Sequence, residues 1–393
     1  MSDPRQHIMP VYRPPEQVFE KGEGVYLFTE DGTRYLDFIA GIAVNALGHA
    51  HPAMVEALQD QAGKLWHTSN MFRVRGAEEL SDKICRDTFA DRVFFTNSGT
   101  EAVECAIKSA RKYHWANGNE ERVDIITFTG AFHGRSLGAI NAGGNPKYLE
   151  GFGPKLPGFV HLEWGDHDAL KAAAAQPTTA AVFVEPVQGE GGVRAMPDAC
   201  LKGLRELCDE HGILLIYDEV QCGMGRTGKL FAYEWSGIEP DILSSAKGLG
   251  GGFPIGACLA NDKASACMVV GTHGSTFGGN PLATAVGNAV LDLMLEDGFL
   301  DQVRERGQQL KNGLADVAAR HPQILGDVQG LGLMLGVKCH VPNTDMLARL
   351  RDARLLTGRA GSDILRLLPP LNLTEHHISE ALNIIDQVCK DWT

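Results

Sequence analysis

Residues 212–228 read GILLIYDEVQCGMGRTG. Ile213–Tyr217 is a short unbroken apolar run, the mark of a strand buried on both faces, and it stops abruptly at the acidic pair Asp218-Glu219. Three more runs share the pattern: RVFFTNS (92–98), VDIITFTG (123–130) and AAVFVEPV (180–187) are rich in Val and Phe or Ile and end in polar or Gly residues. Helical periods lie between them, and that alternation predicts an α/β fold around a mainly parallel sheet. In open sheets of this kind ligands sit beyond the carboxyl ends of the strands, so the chemistry is expected where these runs stop.

Outward from this core the pattern changes. Residues 25–38, VYLFTEDGTRYLDF, read as two short strands about an Asp31-Gly32 turn. Past about residue 285 come long amphipathic helices, with short strands near ILGDVQGLGLMLGVKC (324–339) and ILRLLPPL (364–371), which predicts a second, smaller α+β domain. There are no internal repeats and no low-complexity linker.

Composition limits the partners. With 36 Lys and Arg against 49 Asp and Glu, the formal charge is −13, which disfavours nucleic acid or an anionic membrane as a partner. An anionic ligand must be met locally, by placed cations and backbone donors. The nine cysteines are scattered and include no C-x-x-C pair, so neither a disulfide framework nor a zinc ribbon is expected and a reducing cytoplasm fits best. The first residues lack the pattern of a signal or transit peptide, and no stretch is apolar enough to span a bilayer. His49 and His51, in GHAHP, have no carboxylate or cysteine at ligand spacing, so both are read as structural and no metal is expected.

Two further segments carry chemistry. Lys247 stands in ILSSAKGLGGGFPIGA (242–257) among small residues that leave room for a ring against the backbone, and a lysine so placed can lose its solvation and titrate low, as a Schiff-base amine requires. Asp218, at a strand end, suits a protonated pyridine nitrogen. Each has a plainer reading, Asp218 as a cap or metal carboxylate and Lys247 as a solvated loop lysine. FFTNSGTEAVECAIKSARKYH (94–114) runs from a strand into Ser98-Gly99-Thr100 and then a helix with Val103, Ala106, Ile107 and Ala110 on one face. Free amides at a helix start, two hydroxyls and a glycine make a phosphate cup, although Ser98-x-x-Glu101 is also an ordinary capping box.

These segments, with DFIAGIAVNALGHAHP (37–52), FHGRSLGA (132–139), EPVQGEGG (185–192), HGSTFGGNPLA (273–283) and LRLLPPL (365–371), resemble in order the class III, fold-type I pyridoxal-phosphate aminotransferases, and among them those acting on acetylornithine. The resemblance covers essentially the whole chain. It implies a large domain (51–288) with a mainly parallel, seven-stranded sheet, and a small domain made from both chain ends (1–50 and 289–393). It implies pyridoxal 5'-phosphate on Lys247, the catalytic pair Lys247 and Asp218, and a phosphate held by Ser98, Gly99 and Thr100. Phe132 and Val220 would cover the two faces of the ring, and Gln221 would bind its phenolic oxygen. Thr276, and Ser275 for the substrate, would come from the partner of a homodimer with shared sites.

For substrates, the resemblance gives Arg135 the α-carboxylate of the acylated donor and Arg366 that of glutamate or 2-oxoglutarate, with Glu190 masking Arg366 on demand and Glu185 a polar wall. Ornithine-type relatives carry a tyrosine in the early segment where Ala43, Val44 and Asn45 stand here, which suits a neutral acylated nitrogen. The expected reaction is N2-acetyl-L-ornithine with 2-oxoglutarate to N-acetyl-L-glutamate 5-semialdehyde and glutamate, a step of arginine biosynthesis. Succinylornithine, succinyl-diaminopimelate, ornithine and 4-aminobutyrate are the alternative donors, an aminomutase the alternative class. A nucleotide-binding role for GLGGGF and STFGGNP has no fingerprint behind it. Cys222 has no basic neighbour to make it reactive.

Overall fold

The computed structural model describes residues 7–361 and 363–392. Seven strands form the main sheet, in the order Arg92–Thr96, Gly256–Ala260, Ile242–Ser245, Leu214–Asp218, Thr179–Val184, Asp124–Phe128, Phe159–Leu162. The pairings are parallel except that Gly256–Ala260 runs against both its neighbours. All four strands expected from the apolar runs are present. Three others were not foreseen: Phe159–Leu162 and Ile242–Ser245 have only four residues each, and Gly256–Ala260, apart from Leu259, is built of small residues that carry little strand preference.

Burial on both faces explains why the central runs do not alternate. Leu214 and Ile216 point into a cluster with Val103, Ala106, Ile107 and Ala110 of the helix Gly99–Ala116. Leu215 and Tyr217 point the other way, into a cluster with Leu201, Leu204 and Leu207 of the helix Asp198–His211. Successive residues of one strand thus serve opposite layers.

The hairpin forms as expected, Tyr26–Thr29 pairing with Arg34–Asp37, and Gly32 takes φ +81° in the turn. It is extended by Phe19–Glu23 on one side and, on the other, by Leu355–Leu356, which lies parallel to Arg34–Asp37. The residues 324–339 make an antiparallel hairpin, Leu325–Leu331 with Met334–Cys339. Ile364–Leu367 and Gly358–Ala360 complete that sheet, backed by the long helix Phe299–Arg320, on which the helix Glu375–Lys390 packs. The helix Pro281–Met294 runs unbroken through residue 288.

This architecture delivers the site. Asp218 ends one central strand, Lys247 follows the end of the next, Glu185 follows a third, and Phe132 and Ser98 follow the ends of two more. Since Ile216 is fully buried in the middle of the sheet, Ile216→Ala should cost about 2–5 kcal/mol. A lower urea midpoint with an unchanged slope is the expected reading.

Candidate active site

Lys247 opens a one-turn 3-10 helix, Lys247–Leu249, with φ +43°. A left-handed backbone costs a non-glycine residue roughly 1–2 kcal/mol, and here the Lys247 carbonyl is held by the N–H groups of Gly250 and Gly251 (3.1 and 3.2 Å). The side chain reaches a cavity of about 320 Å³. Among the described residues its amine has no hydrogen-bond partner. Burial, reinforced by the positive charge of Arg366 and opposed by Glu190, Asp218 and Glu185, brings the Lys247 amine down to about 8. The expectation of a desolvated, low-titrating lysine holds.

Ser98, Gly99 and Thr100 line one end of this cavity. The Ser98 hydroxyl accepts from the Glu101 N–H (3.3 Å) while the Glu101 carboxylate takes the Asn97 N–H (2.7 Å), so the helix is capped. Gly99 and Thr100 keep first-turn amides that no carbonyl of their own helix can reach. A Cβ on Gly99 would come within 2.6 Å of Val220 Cγ1, so only glycine leaves the cup open. Thr100 Oγ1 in turn accepts the Arg135 N–H (3.3 Å), a close approach allowed by Gly134 at φ +124°.

At the other end lies Asp218, 4% exposed. One carboxylate oxygen accepts the Val220 N–H (3.0 Å), and the second meets His133 Nδ1 at 2.8 Å. His133 is stacked on Phe183 (4.1 Å, 15°), and its Nε2 is buried without a partner among the described residues. Beside it Glu185, pushed up to about 7 by burial, accepts the N–H groups of Phe132 (2.9 Å) and Gly189 (3.1 Å). Glu185 therefore holds the Phe132 backbone as well as walling the cavity, and Phe132, Val220 and Gln221 line it too.

Arg366, on the strand Ile364–Leu367, is 3% exposed. Its Nη1 donates to Glu190 Oε1 at 2.6 Å and to Gln221 Oε1 at 3.2 Å, and its Nε has no partner among the described residues. Arg135 is exposed, in an adjoining cavity of about 1030 Å³ that shares Phe132 with the first and also takes in Glu190.

Residues 9–389 match the profile of the family described as aminotransferase class-III. The chain belongs to that family. It is 58% identical over 391 residues to acetylornithine aminotransferase 2 of Caulobacter vibrioides, covering 98% of this chain and 96% of the relative. Among solved structures it resembles N-acetylornithine aminotransferase from Stenotrophomonas maltophilia (38% identity, TM-score 0.85, 96% and 97% covered). It also resembles ornithine aminotransferase from Toxoplasma gondii (32% identity, TM-score 0.95, 99% and 93% covered).

This aminotransferase uses pyridoxal 5'-phosphate, and the cavity suits that molecule on its own chemistry. It offers amides for a phosphate, an amine for a carbonyl carbon and a buried carboxylate for a ring nitrogen, in a cup that a Cβ at residue 99 would fill. Val44 lines the cavity as well, placing part of the early apolar segment at the site. Ser275 and Thr276 do not reach it. They line a separate cavity of about 310 Å³, where Ser275 Oγ accepts from Asn97 Nδ2 (3.2 Å) and the Gly278 N–H (3.0 Å).

His133 was not foreseen, although it sits between Phe132 and Gly134 in a segment already singled out; its sequence position says nothing about a contact with a residue on another strand. The other flagged groups have structural employment. His49 Nε2 meets Asp37 Oδ2 at 2.8 Å, and Glu219 accepts the N–H groups of Ala232 and Tyr233 (2.5 and 2.9 Å). Among the described residues no group of three His, Cys, Asp or Glu could hold a metal, and burial raises the Cys222 thiol well above its usual range.

A hydrogen bond to a charged group is worth roughly 1.5–3 kcal/mol, so His133→Ala should weaken cofactor retention about ten- to a hundredfold, read by spectral titration of the stripped protein. Because only the neutral amine attacks a carbonyl and Lys247 loses its proton near pH 8, cofactor capture by stripped protein should accelerate as pH rises through about 8 and slow below it. Stopped-flow absorbance checks the direction.

Proposed function

We propose that this chain transfers the terminal amine of N2-acetyl-L-ornithine to 2-oxoglutarate, a step of arginine biosynthesis. The observation that carries the reading is the Arg366–Glu190 pair beside Lys247 (2.6 Å). One site must take a terminal amine in one half-reaction and an α-amine in the other, and a carboxylate receptor that is neutralised until a dicarboxylate displaces its partner serves both. Breaking a buried ion pair outright would be expensive. Exchanging Glu190 for a substrate carboxylate keeps Arg366 paired throughout, and Glu190, about one-third exposed, has room to move away.

When bound, pyridoxal phosphate supplies an electron-accepting ring that stabilises negative charge on the substrate carbon. The rest falls to the chain. Gly99 and Thr100 amides, with the Thr100 hydroxyl, hold the phosphate, and Asp218, oriented by His133, keeps the ring nitrogen protonated. Phe132 and Val220 keep water from the ring faces. Lys247 Nζ carries the proton between neighbouring carbons, and as a tethered amine it acts at an effective molarity of ~10⁵ M or more. Arg135 takes the donor's α-carboxylate, and the wide cavity about it leaves space for the acyl group.

The site is completed, in this reading, by a homodimer. Ser275 and Thr276 lie away from their own chain's Lys247 cavity, and exposed Trp66, Met71, Phe72, Val270 and Phe277 are apolar groups that a partner would cover. A cytoplasmic setting agrees with nine free cysteines, and no helix among the described residues is long and apolar enough to cross a membrane.

A panel of acetylornithine, succinylornithine, ornithine and 4-aminobutyrate with 2-oxoglutarate tests the assignment. Acetylornithine should exceed ornithine and 4-aminobutyrate in kcat/KM by about tenfold or more, a difference of about 1.4 kcal/mol, with glutamate released in step. A lead for ornithine or 4-aminobutyrate overturns the substrate, and absence of glutamate overturns the reaction.

A further inference from the structure

The two substrate arginines are held by different physics. Arg366 is buried and bound edge-on by Glu190 and Gln221. Arg135 is exposed, and among the described residues its guanidinium has no ion pair and no hydrogen bond; only its backbone N–H is engaged, by Thr100 Oγ1. What it touches is a face. Its guanidinium carbon lies 3.8 Å from the centre of the Tyr148 ring and 5.5 Å from that of Phe132, and the two rings meet edge to face (6.0 Å, 88°).

Ring and acid differ in what they leave free. A carboxylate partner would fix the guanidinium but occupy its N–H edge and cancel its charge, so an incoming substrate would have to displace it. An aromatic face attracts the cation through the ring quadrupole and leaves the whole N–H fork available for a bidentate carboxylate. A long side chain at an open cavity otherwise samples many rotamers, and ordering it on binding weakens the ligand.

Tyr148 is itself well placed to be a shelf. It lies on the single-turn helix Pro146–Leu149, which begins with proline and is capped by Asn145, whose side chain accepts the Lys147 N–H at 3.0 Å. The Tyr148 hydroxyl has no hydrogen-bond partner among the described residues, so the ring and not the phenol makes the contact. Tyr148, Arg135 and Phe132 line the same cavity, and Phe132 passes the contact on to the Lys247 cavity.

We infer that Tyr148 is a positioning residue for one half-reaction only: it holds Arg135 edge-outward to receive the donor's α-carboxylate, and so sets affinity for the amino donor without touching the keto acid. This rests on the reading of Arg135 as the donor's carboxylate receptor. Arg366, the receptor for the keto acid in the same reading, is held by Glu190 and Gln221 and does not use the shelf.

The experiment is a pair of half-reactions followed by absorbance, acetylornithine with enzyme loaded with pyridoxal phosphate and 2-oxoglutarate with enzyme loaded with pyridoxamine phosphate, for wild type, Tyr148→Phe, Tyr148→Leu and Arg135→Gln. Tyr148→Leu should raise the apparent dissociation constant of acetylornithine about two- to thirtyfold, the span of cation–ring attraction, while that of 2-oxoglutarate stays within about twofold. Tyr148→Phe should behave as wild type in both. Equal losses for both substrates in Tyr148→Leu, or no loss for acetylornithine, overturn the inference, as does a Tyr148→Phe variant as impaired as the leucine one. Arg135→Gln separates the two levels: if it leaves acetylornithine binding intact, the receptor reading fails, whereas a strong effect there with none at Tyr148 sinks the shelf alone. Should the leucine variant not fold, Tyr148→Met makes the same comparison.

Discussion

An amine drawn into a protein cavity is costly to keep charged, and the surroundings of Lys247 answer that constraint. The cation Arg366 pushes the same way as burial, while Glu190, Asp218 and Glu185 oppose it, and the amine comes down to about 8. Neutral and charged forms are therefore both within easy reach at ordinary pH, the condition for a group that must give and take a proton in turn. The acids belong to other duties: Asp218 is held by His133 and the Val220 N–H, Glu185 holds the Phe132 backbone, Glu190 covers Arg366. Changing any of them alters the amine as well as its own task.

Selectivity grows from a second contrast, between an arginine held by an acid and one held by rings. In the proposed reaction Arg366 is switched by exchange, because its partner, Glu190, is a charge that another charge can replace. Arg135 is always presented, because its neighbours supply direction without neutralising it. One receptor is thus conditional and the other constant, and a single cavity can serve two substrates with their amines at different distances from a carboxylate.

Much of this was legible in the chain. The runs ending in Asp218, Ser98 and Glu185 announced buried strands by composition, and the carboxyl-end rule then located the chemistry. Lys247 was legible as a lysine among small residues, and the helix face Val103, Ala106, Ile107 and Ala110 by its period. What stayed hidden depends on contacts between distant strands. His133 meets Asp218 only because two parallel strands end at the same level, and the stacking of Arg135 on Tyr148 needs a loop folded back over the site. Gly256–Ala260 escaped because four small residues and a leucine carry no β-branched signature, although the sheet places it between two partners that do much of the ordering.

Leu355–Leu356 beside Arg34–Asp37 has a bearing on how the protein is made. The two strands are separated by more than 300 positions, so this sheet closes only after the long segment between them has been made. Its hairpin must wait with one edge open, a template for unwanted pairing. The charges at that hairpin, Glu30, Asp31 and Arg34, are exposed, and they give the waiting edge a polar border until the chain's far end arrives.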